Sequence, residues 1–452
     1  MTDEIKREGF LRTLESLRSQ DAIKVITGMR RCGKSTLLRQ FIEQLKDEGV
    51  PEDRIVYVNM ELISNDRYRD GRTLYNEITS ISEIGRLYIF IDEIQMITGW
   101  ERVVNSLAVE RDCDIYITGS NAYLLSTEIS TYLTGRSISL RVLPLSLGEY
   151  VQGYAPDDLM GLVGLYQRYT RLGGMPFIRP EMTDEMVFQR LDEIKSDIIL
   201  KDICNRRKVD AQKVRRVIDY LFSEIGNPIS SENIAKGLGI SSSTASDYLS
   251  LIMDSLLFSK VERYDLRGRS ILKTEGKIYC TDLGMRNTQP IPANRDPGRI
   301  MENMVYLELI RRGYKVSVGK IGNYEIDFVA AKGERREFYQ VALTVADPKK
   351  MEDELRPFRL LRATGDRYLI TGDPTVRYVT DEAIIVNIID FLTSRYRRKQ
   401  ASMELRYNNG DPHIEGGGKT SSHGSNRSQT RQPLYRRRHI RRSCQKQPSA
   451  TT

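Results

Sequence analysis

The stretch Gly28-Met29-Arg30-Arg31-Cys32-Gly33-Lys34-Ser35-Thr36 decides the fold. It follows the apolar run Ile23-Lys24-Val25-Ile26 and precedes the helical pattern Leu37-Leu38-Arg39-Gln40-Phe41-Ile42. Strand, glycine-bounded loop with Lys-Ser, then helix is the context a phosphate-binding loop requires. The glycines let backbone N–H groups curl inward towards phosphate oxygens, and the following helix offers its positive end to the same anion. On this reading Lys34 reaches the β- and γ-phosphates and Ser35 ligates Mg²⁺.

A second site supports the first. Leu87-Tyr88-Ile89-Phe90-Ile91 reads as a strand buried on both faces and ends in Asp92-Glu93. Carboxylates at the C-terminal end of such a strand lie where α/β sheets bind ligands. Asp92 is the candidate for holding Mg²⁺ and Glu93 for polarising the attacking water. Phosphoryl transfer needs mainly positioning and charge neutralisation, so a lysine, a metal and a water-orienting group are its parts. Asp-Glu by itself reads better as a solvated helix cap; paired with the phosphate loop it reads as catalytic.

Working outward, strands are expected at 23–27, 55–59, 87–91, 114–118 and 137–143, with helices between them and a further helix over 1–20. That alternation predicts an α/β fold, a P-loop NTPase parallel sheet with helices on both faces, over residues 1–150. The strand 114–118 runs into Gly119-Ser120-Asn121, where Ser120 or Asn121 could sense a γ-phosphate or simply turn the chain. Arg136, before the fifth strand, is either an arginine finger for a neighbouring subunit's nucleotide or a surface arginine. Cys32 could serve as a redox-sensitive thiol inside the loop or as a small tolerated side chain.

Bulk numbers exclude other chemistry. The 452-residue chain predicts several domains, no apolar run approaches the ~18 residues that span a bilayer, and the charged N-terminus is no signal peptide. Five scattered cysteines predict a reducing, cytoplasmic setting without disulfides or a zinc site. Residues 395–452 hold 14 Lys/Arg against 3 Asp/Glu, whereas the remainder holds 55 against 58. The basic character therefore lies in a tail, which also holds all three histidines, His413, His423 and His439. Chemistry in the body must run on carboxylates, Lys, Arg, hydroxyls or Mg²⁺.

Residues 151–215 read as a helical connector punctuated by Gly173-Gly174-Met175-Pro176, with 197–203 as a packing helix. Residues 216–290 read as a winged helix: a helix ending near Gly239, N-capping hydroxyls at Ser241–Thr244, and a second helix at about 243–257. That second helix has no Lys or Arg, unlike a base-reading helix, but the segment 260–277 has six basic residues with which a wing could touch phosphates. Residues 298–395 form another α/β unit in which Glu302, Asp327 and Gln340 could converge to hold Mg²⁺ against a phosphodiester. The lysine such a site needs is absent, since that position is Ala342. Residues 396–452 read as a disordered basic tail that could bind nucleic acid through charge alone.

The chain resembles a widespread family of prokaryotic AAA-type ATPases with a C-terminal domain of unknown function. The likeness is carried by the phosphate loop, by Phe90-Ile91-Asp92-Glu93-Ile94-Gln95, by Ile117-Thr118-Gly119-Ser120-Asn121-Ala122 and by Leu143-Pro144-Leu145-Ser146-Leu147-Gly148-Glu149-Tyr150. The resemblance implies an additional-strand ATPase core with Asp92 on a strand beside the loop strand. It also implies a preference for ATP, and a C-terminal part similar to PD-(D/E)XK nucleases, matched by Glu302, Asp327 and Gln340 but not by Ala342. The expectation is a cytoplasmic, Mg²⁺-dependent ATPase that couples nucleotide state to its C-terminal domains, with DNA or a protein as partner and a homo-oligomer as its assembly. The competing expectation is a nucleic-acid-binding module that uses ATP as a slow switch.

Overall fold

Ile23–Thr27 (β1) is buried along its whole length. With Ile55–Asn59 (β2), Leu87–Asp92 (β3), Cys113–Gly119 (β4) and Ser137–Arg141 (β5) it forms a five-stranded parallel sheet in the order β2-β3-β4-β1-β5. The computed structural model describes residues 4–82, 84–120, 133, 135–154, 159–205, 208–268, 270–272, 276–289, 296–374 and 378–394.

Alternate residues of each strand serve opposite faces, which is why β1 to β4 are largely apolar. Ile23, Val25, Ile89, Ile91, Ile115 and Ile117 pack with residues of the helices Gly71–Thr79 and Trp100–Glu110. Ile26, Tyr88, Phe90 and Tyr116 pack with residues of Glu8–Leu17 (α1) and Lys34–Asp47 (α2). This is the P-loop NTPase fold expected from the sequence. One expectation fails: β1 is flanked by β4 and β5, so Asp92 on β3 lies two strands from the phosphate loop. The intervening strand β4 brings Thr118 between them.

Beyond β5 come helices at Leu147–Tyr154, Leu159–Leu172 and Asp184–Asp197. The last continues into a π-helical segment, Ile198–Cys204, where a packing α-helix was expected. Helices Ala211–Ser223, Ser231–Leu238 and Ser242–Asp254 follow, the last two capped by Ser230 and Ser241 as the hydroxyl pattern suggests. Phe258–Val261 (β6) pairs with Lys277–Cys280 (β9).

Between them, Arg263–Asp265 (β7) and Ser270–Ile271 (β8) leave this hairpin and join an eight-stranded sheet. Its other strands are Lys315–Ile321 (β10), Tyr324–Lys332 (β11), Arg335–Ala342 (β12), Asp366–Thr371 (β13), Tyr378–Val379 (β14) and Ile384–Asn387 (β15), in the order β14-β15-β13-β12-β11-β10-β7-β8. Residues of the helix Pro297–Arg311 share one apolar cluster with this sheet and residues of Pro348–Leu360 share the other. None of the described helices is long and apolar enough to cross a membrane.

One charge interrupts the apolar strands. Lys24 of β1 is fully buried, and its ammonium meets the buried Asp114 carboxylate of β4. Asp114 also accepts from Tyr116 Oη at 2.9 Å and from the Ser19 amide at 2.9 Å. Lys24→Met leaves a buried carboxylate without its cation and should cost about 3–5 kcal/mol, while Lys24→Met/Asp114→Leu should recover most of that loss. Urea unfolding followed through Trp100, the only tryptophan of the chain, reads this domain directly. A single variant as stable as the parent would remove the pair from the account of the sheet.

Candidate functional site

Residues 28–33 turn the chain from β1 into α2. Gly33, at φ +102°, precedes the helix in a left-handed conformation that side chains resist. No side chain caps α2, so the amides of its first turn are free to meet an anion. Gly33, Lys34, Ser35 and Thr36 line a cavity of about 570 Å³. Lys34 is buried and donates to the carbonyls of Gly28 at 3.1 Å and Met29 at 3.4 Å, with Glu93 Oε1 3.6 Å away. Met29 is buried. Cys32 is wholly buried, its thiol pointing to the Val142 carbonyl, and burial pushes its pKa up. That environment makes it a packing residue and not an exposed redox thiol.

Arg30 and Arg31 line the same cavity and are held by acidic residues of the helical region. Arg30 makes a two-pronged pair with Asp202 of the π-helical segment, at 2.8 and 3.2 Å, and that bonding raises its pKa. Arg31 lies 3.6 Å from Asp197. The loop is thereby tied to the helical region that follows the sheet.

Asp92 is buried at the end of β3. It accepts from Thr118 Oγ1 and, at 3.4 Å, from Tyr57 Oη. Burial and then the Asp92 charge push the Tyr57 hydroxyl up to about 12. Among the described residues no Lys or Arg pairs with Asp92, so a buried carboxylate awaits a cation from outside the chain. With the Ser35 hydroxyl at the cavity wall, this donor set fits Mg²⁺, which takes few protein oxygens and completes its shell with water and phosphate. Glu93 adopts a left-handed conformation, φ 59° and ψ 54°, rare for a side-chain-bearing residue. Its amide donates to Thr118 Oγ1 at 3.0 Å and its Oε2 accepts from Gln95 Nε2 at 2.5 Å. Thr118 thus sets both carboxylate residues. The sequence shows it only as one more β-branched residue of a strand.

Ser120 is buried where β4 ends, and Asn121 lies outside the described residues. Arg136 is exposed at the opposite edge of the sheet, its carbonyl bonded to the Ile23 amide at the start of β1. It is five strand residues, roughly 17 Å, from the loop of its own chain.

The far wall of the cavity was not legible in the sequence. Pro176, Phe177, Arg179, Arg190 and Lys201 line it, with Arg7 and Ile5 from the N-terminal segment. Pro176 Cγ lies 3.5 Å from where a Cβ on Gly33 would stand, so the Gly-Gly-Met-Pro stretch closes over the loop. Gly174 is fixed by bonds: its carbonyl accepts from Leu145 N at 2.7 Å and its amide donates to Asp282 at 2.8 Å. A Cβ there would stand 2.3 Å from the Leu145 carbonyl, which requires glycine. Asp282 is buried, and burial pushes its pKa up to about 6. Arg190 stacks on Phe177 at 4.7 Å and makes no ion pair among the described residues. Arg7 is buried and paired with Glu149 at 2.7 Å. Burial alone would raise the Glu149 carboxyl, but Arg7 outweighs it and holds it below its usual range.

The C-terminal residues also converge. Glu302 and Asp327 face each other around Lys277 of β9, and Gln340 accepts from the Asp327 amide at 3.4 Å. Burial and then the charge of Glu302 push the Asp327 carboxyl well above its ordinary range. Of the six basic residues of 260–277, Arg263 pairs with Glu325 at 3.1 Å and Lys277 is buried, Lys260 and Arg267 are exposed, and Arg269 and Lys273 lie outside the described residues. β7 and β8 belong to the second sheet, with β8 at its edge. The tail, residues 395–452, lies outside the described residues.

Comparison with known proteins assigns residues 20–151 to an AAA domain and residues 163–294 to a domain of unknown function, DUF8612. An uncharacterized protein of Haemophilus influenzae is 35% identical over 398 residues, covering 86% of this chain and 98% of that protein. One of Methanocaldococcus jannaschii is 28% identical over 363 residues, covering 74% and 78%. Among solved structures, the Aeropyrum pernix ORC1 protein in complex with DNA is 15% identical, covers 66% of this chain and 94% of that one, and has a TM-score of 0.29. AMPPCP-bound DnaA from Aquifex aeolicus is 15% identical, covers 56% and 89%, and has a TM-score of 0.24. At such scores these structures carry no argument; the fold rests on the sheet order.

Burial of Cys32 gives a direct check on the closed loop. Native chain treated with iodoacetamide and mapped by peptide mass spectrometry should keep Cys32 and Cys280 unmodified while the half-buried Cys113 and Cys204 react. Labelling of Cys32 as fast as Cys204 would mean that the loop opens in solution.

Proposed function

The chain belongs to the same family as its Haemophilus influenzae relative and carries an AAA domain; from that premise we propose that it binds and hydrolyses ATP at the loop Gly28–Thr36. One observation carries the reading. The buried Lys34 ammonium is shared by two loop carbonyls and Glu93, beside the buried Asp92 carboxylate for which no protein cation is found among the described residues.

A polyphosphate entering the cavity would meet the free amides at the start of α2 and take Lys34 away from Glu93. Glu93, released from that ion pair but still held by Thr118 and Gln95, would then accept a hydrogen bond from the attacking water. Ser35 and Asp92 would hold Mg²⁺, which neutralises charge on the β- and γ-phosphates. Arg190, charged and without an ion pair among the described residues, is suited to the terminal phosphate from the opposite wall, and the apolar group Ile5, Leu145, Pro176 and Phe177 to the base. We take DNA to be the weaker candidate for the partner. The exposed face of the helix Ser242–Asp254 presents Ser243, Ser246, Asp247 and Ser250 and no cation.

Steady-state phosphate release with Mg²⁺, with and without duplex DNA, tests the reading. Lys34→Ala should lose nucleotide binding, while Glu93→Gln should keep it and lose turnover by about 10²–10⁴-fold. Wild-type turnover unchanged in Glu93→Gln would sink the assignment, and stimulation by DNA would reverse the ranking of partners. Arg190→Ala should weaken ATP about tenfold more than ADP, because only ATP carries the phosphate it reaches. Equal losses for the two nucleotides, measured by calorimetry, would place Arg190 elsewhere.

A further inference from the structure

The cluster at Glu302, Asp327 and Gln340 already contains a cation. The ammonium of Lys277, on β9, lies 2.9 Å from Glu302 Oε1, 2.7 Å from Glu325 Oε1 and 3.7 Å from Asp327 Oδ1. Tyr279, two residues along the same strand, donates its hydroxyl to Glu302 Oε1 at 2.6 Å. Asp327 Oδ2 accepts from the Val341 amide at 2.8 Å. Gln340 is engaged at both ends: its Oε1 faces the Asp327 amide and its Nε2 donates to Glu354 at 3.0 Å.

A nuclease-like core would bind Mg²⁺ between the two acidic side chains, at 2.0–2.1 Å and in near-octahedral geometry. Here Glu302 Oε1 is bonded to an ammonium and a phenol, Asp327 Oδ1 faces the same ammonium, and a divalent ion entering beside Lys277 would be repelled by it. Position 342, where such a core carries its lysine, is a buried alanine in the apolar cluster of Leu355 and Phe358. The residues present therefore do not fit a catalytic metal.

We propose that Lys277 is the resident cation of this cluster, taking the place of a divalent metal. The cluster becomes an ionic clamp that fastens β9 to the helix Pro297–Arg311 and to β11. Three acidic side chains from two elements converge on a lysine from a third, 25 residues before the nearest of them, Glu302. Tyr279 extends the clamp, and its ring stacks on Tyr306 of the same helix with centroids 4.6 Å apart. The C-terminal part then serves as a nuclease-like scaffold whose ion is part of the chain.

Mn²⁺ binding to the full chain without nucleotide, followed by electron paramagnetic resonance, tests this. Wild type should show no Mn²⁺ site that Asp327→Asn removes. Lys277→Met should gain one, with affinity up by about tenfold or more, and Lys277→Met/Asp327→Asn should lose it again. An Asp327-dependent Mn²⁺ site in the wild type would overturn the proposal, as would a folded Lys277→Met chain that gains no affinity. Should Lys277→Met fail to fold, the wild type against Asp327→Asn still decides.

Discussion

A buried ammonium has to be satisfied wherever it sits, and at Lys34 the N-terminal half of the chain is arranged around that need. Two loop carbonyls supply part of the satisfaction and Glu93 the rest. Glu93 can reach only because β3 ends in a left-handed residue, a conformation that costs on the order of 1 kcal/mol for an L side chain. Thr118 offsets that cost by accepting the Glu93 amide while donating to Asp92. The insertion of β4 between β1 and β3 is what makes this possible, since it places a hydroxyl between the loop and the two carboxylates. Lysine and acid pair with one another here; on the proposed reading a polyphosphate would separate them, and the same contact would then report the filling of the loop.

The loop is coupled to the rest of the chain by contacts of the same kind. Arg30 is held by Asp202 in a π-helical turn, a geometry that recurs at functional sites because it bulges the helix towards a neighbour. Gly174 carries the connection further, through Leu145 to the end of the first sheet and through Asp282 to the residues after β9. Arg311, buried at the end of the helix Pro297–Arg311, donates to the carbonyls of Pro144 and Leu145. On the proposed reading, these contacts would carry a shift of the Gly-Gly-Met-Pro stretch to the element that holds Glu302.

What the sequence disclosed follows from how local each signal is. The first four strands of the first sheet were legible because they are largely apolar runs, and the start of the helix Ser242–Asp254 because Ser241 caps it. The candidate residues of the loop and of Asp92-Glu93 were legible because their spacing is fixed within a few residues. Strand order was not, since neighbours in the sheet are set by packing between distant segments, and β4 took the place expected for β3. Thr118, Asp202, Asp282 and Lys277 were missed for the same reason: each acts on a partner at least 25 residues away, as Thr118 does on Asp92. In the segment 260–277, composition counts charges without showing that Arg263 and Lys277 are engaged by acidic side chains.

The chain contains two acidic centres, and burial treats them oppositely. At Asp92 the surrounding groups are hydroxyls, which orient the carboxylate without cancelling its charge. A buried charge left in that state is tolerated when a cation arrives with the ligand. At Glu302 and Asp327 the cation is covalently part of the chain, and Lys277 arrives when the protein folds. The first arrangement stores an unmet electrostatic demand and suits a site that must bind, react and release. The second meets its demand permanently and suits a joint. The difference lies in where the positive charge is encoded: with the ligand, on the proposed reading of the first centre, and in the chain itself, as Lys277, at the second.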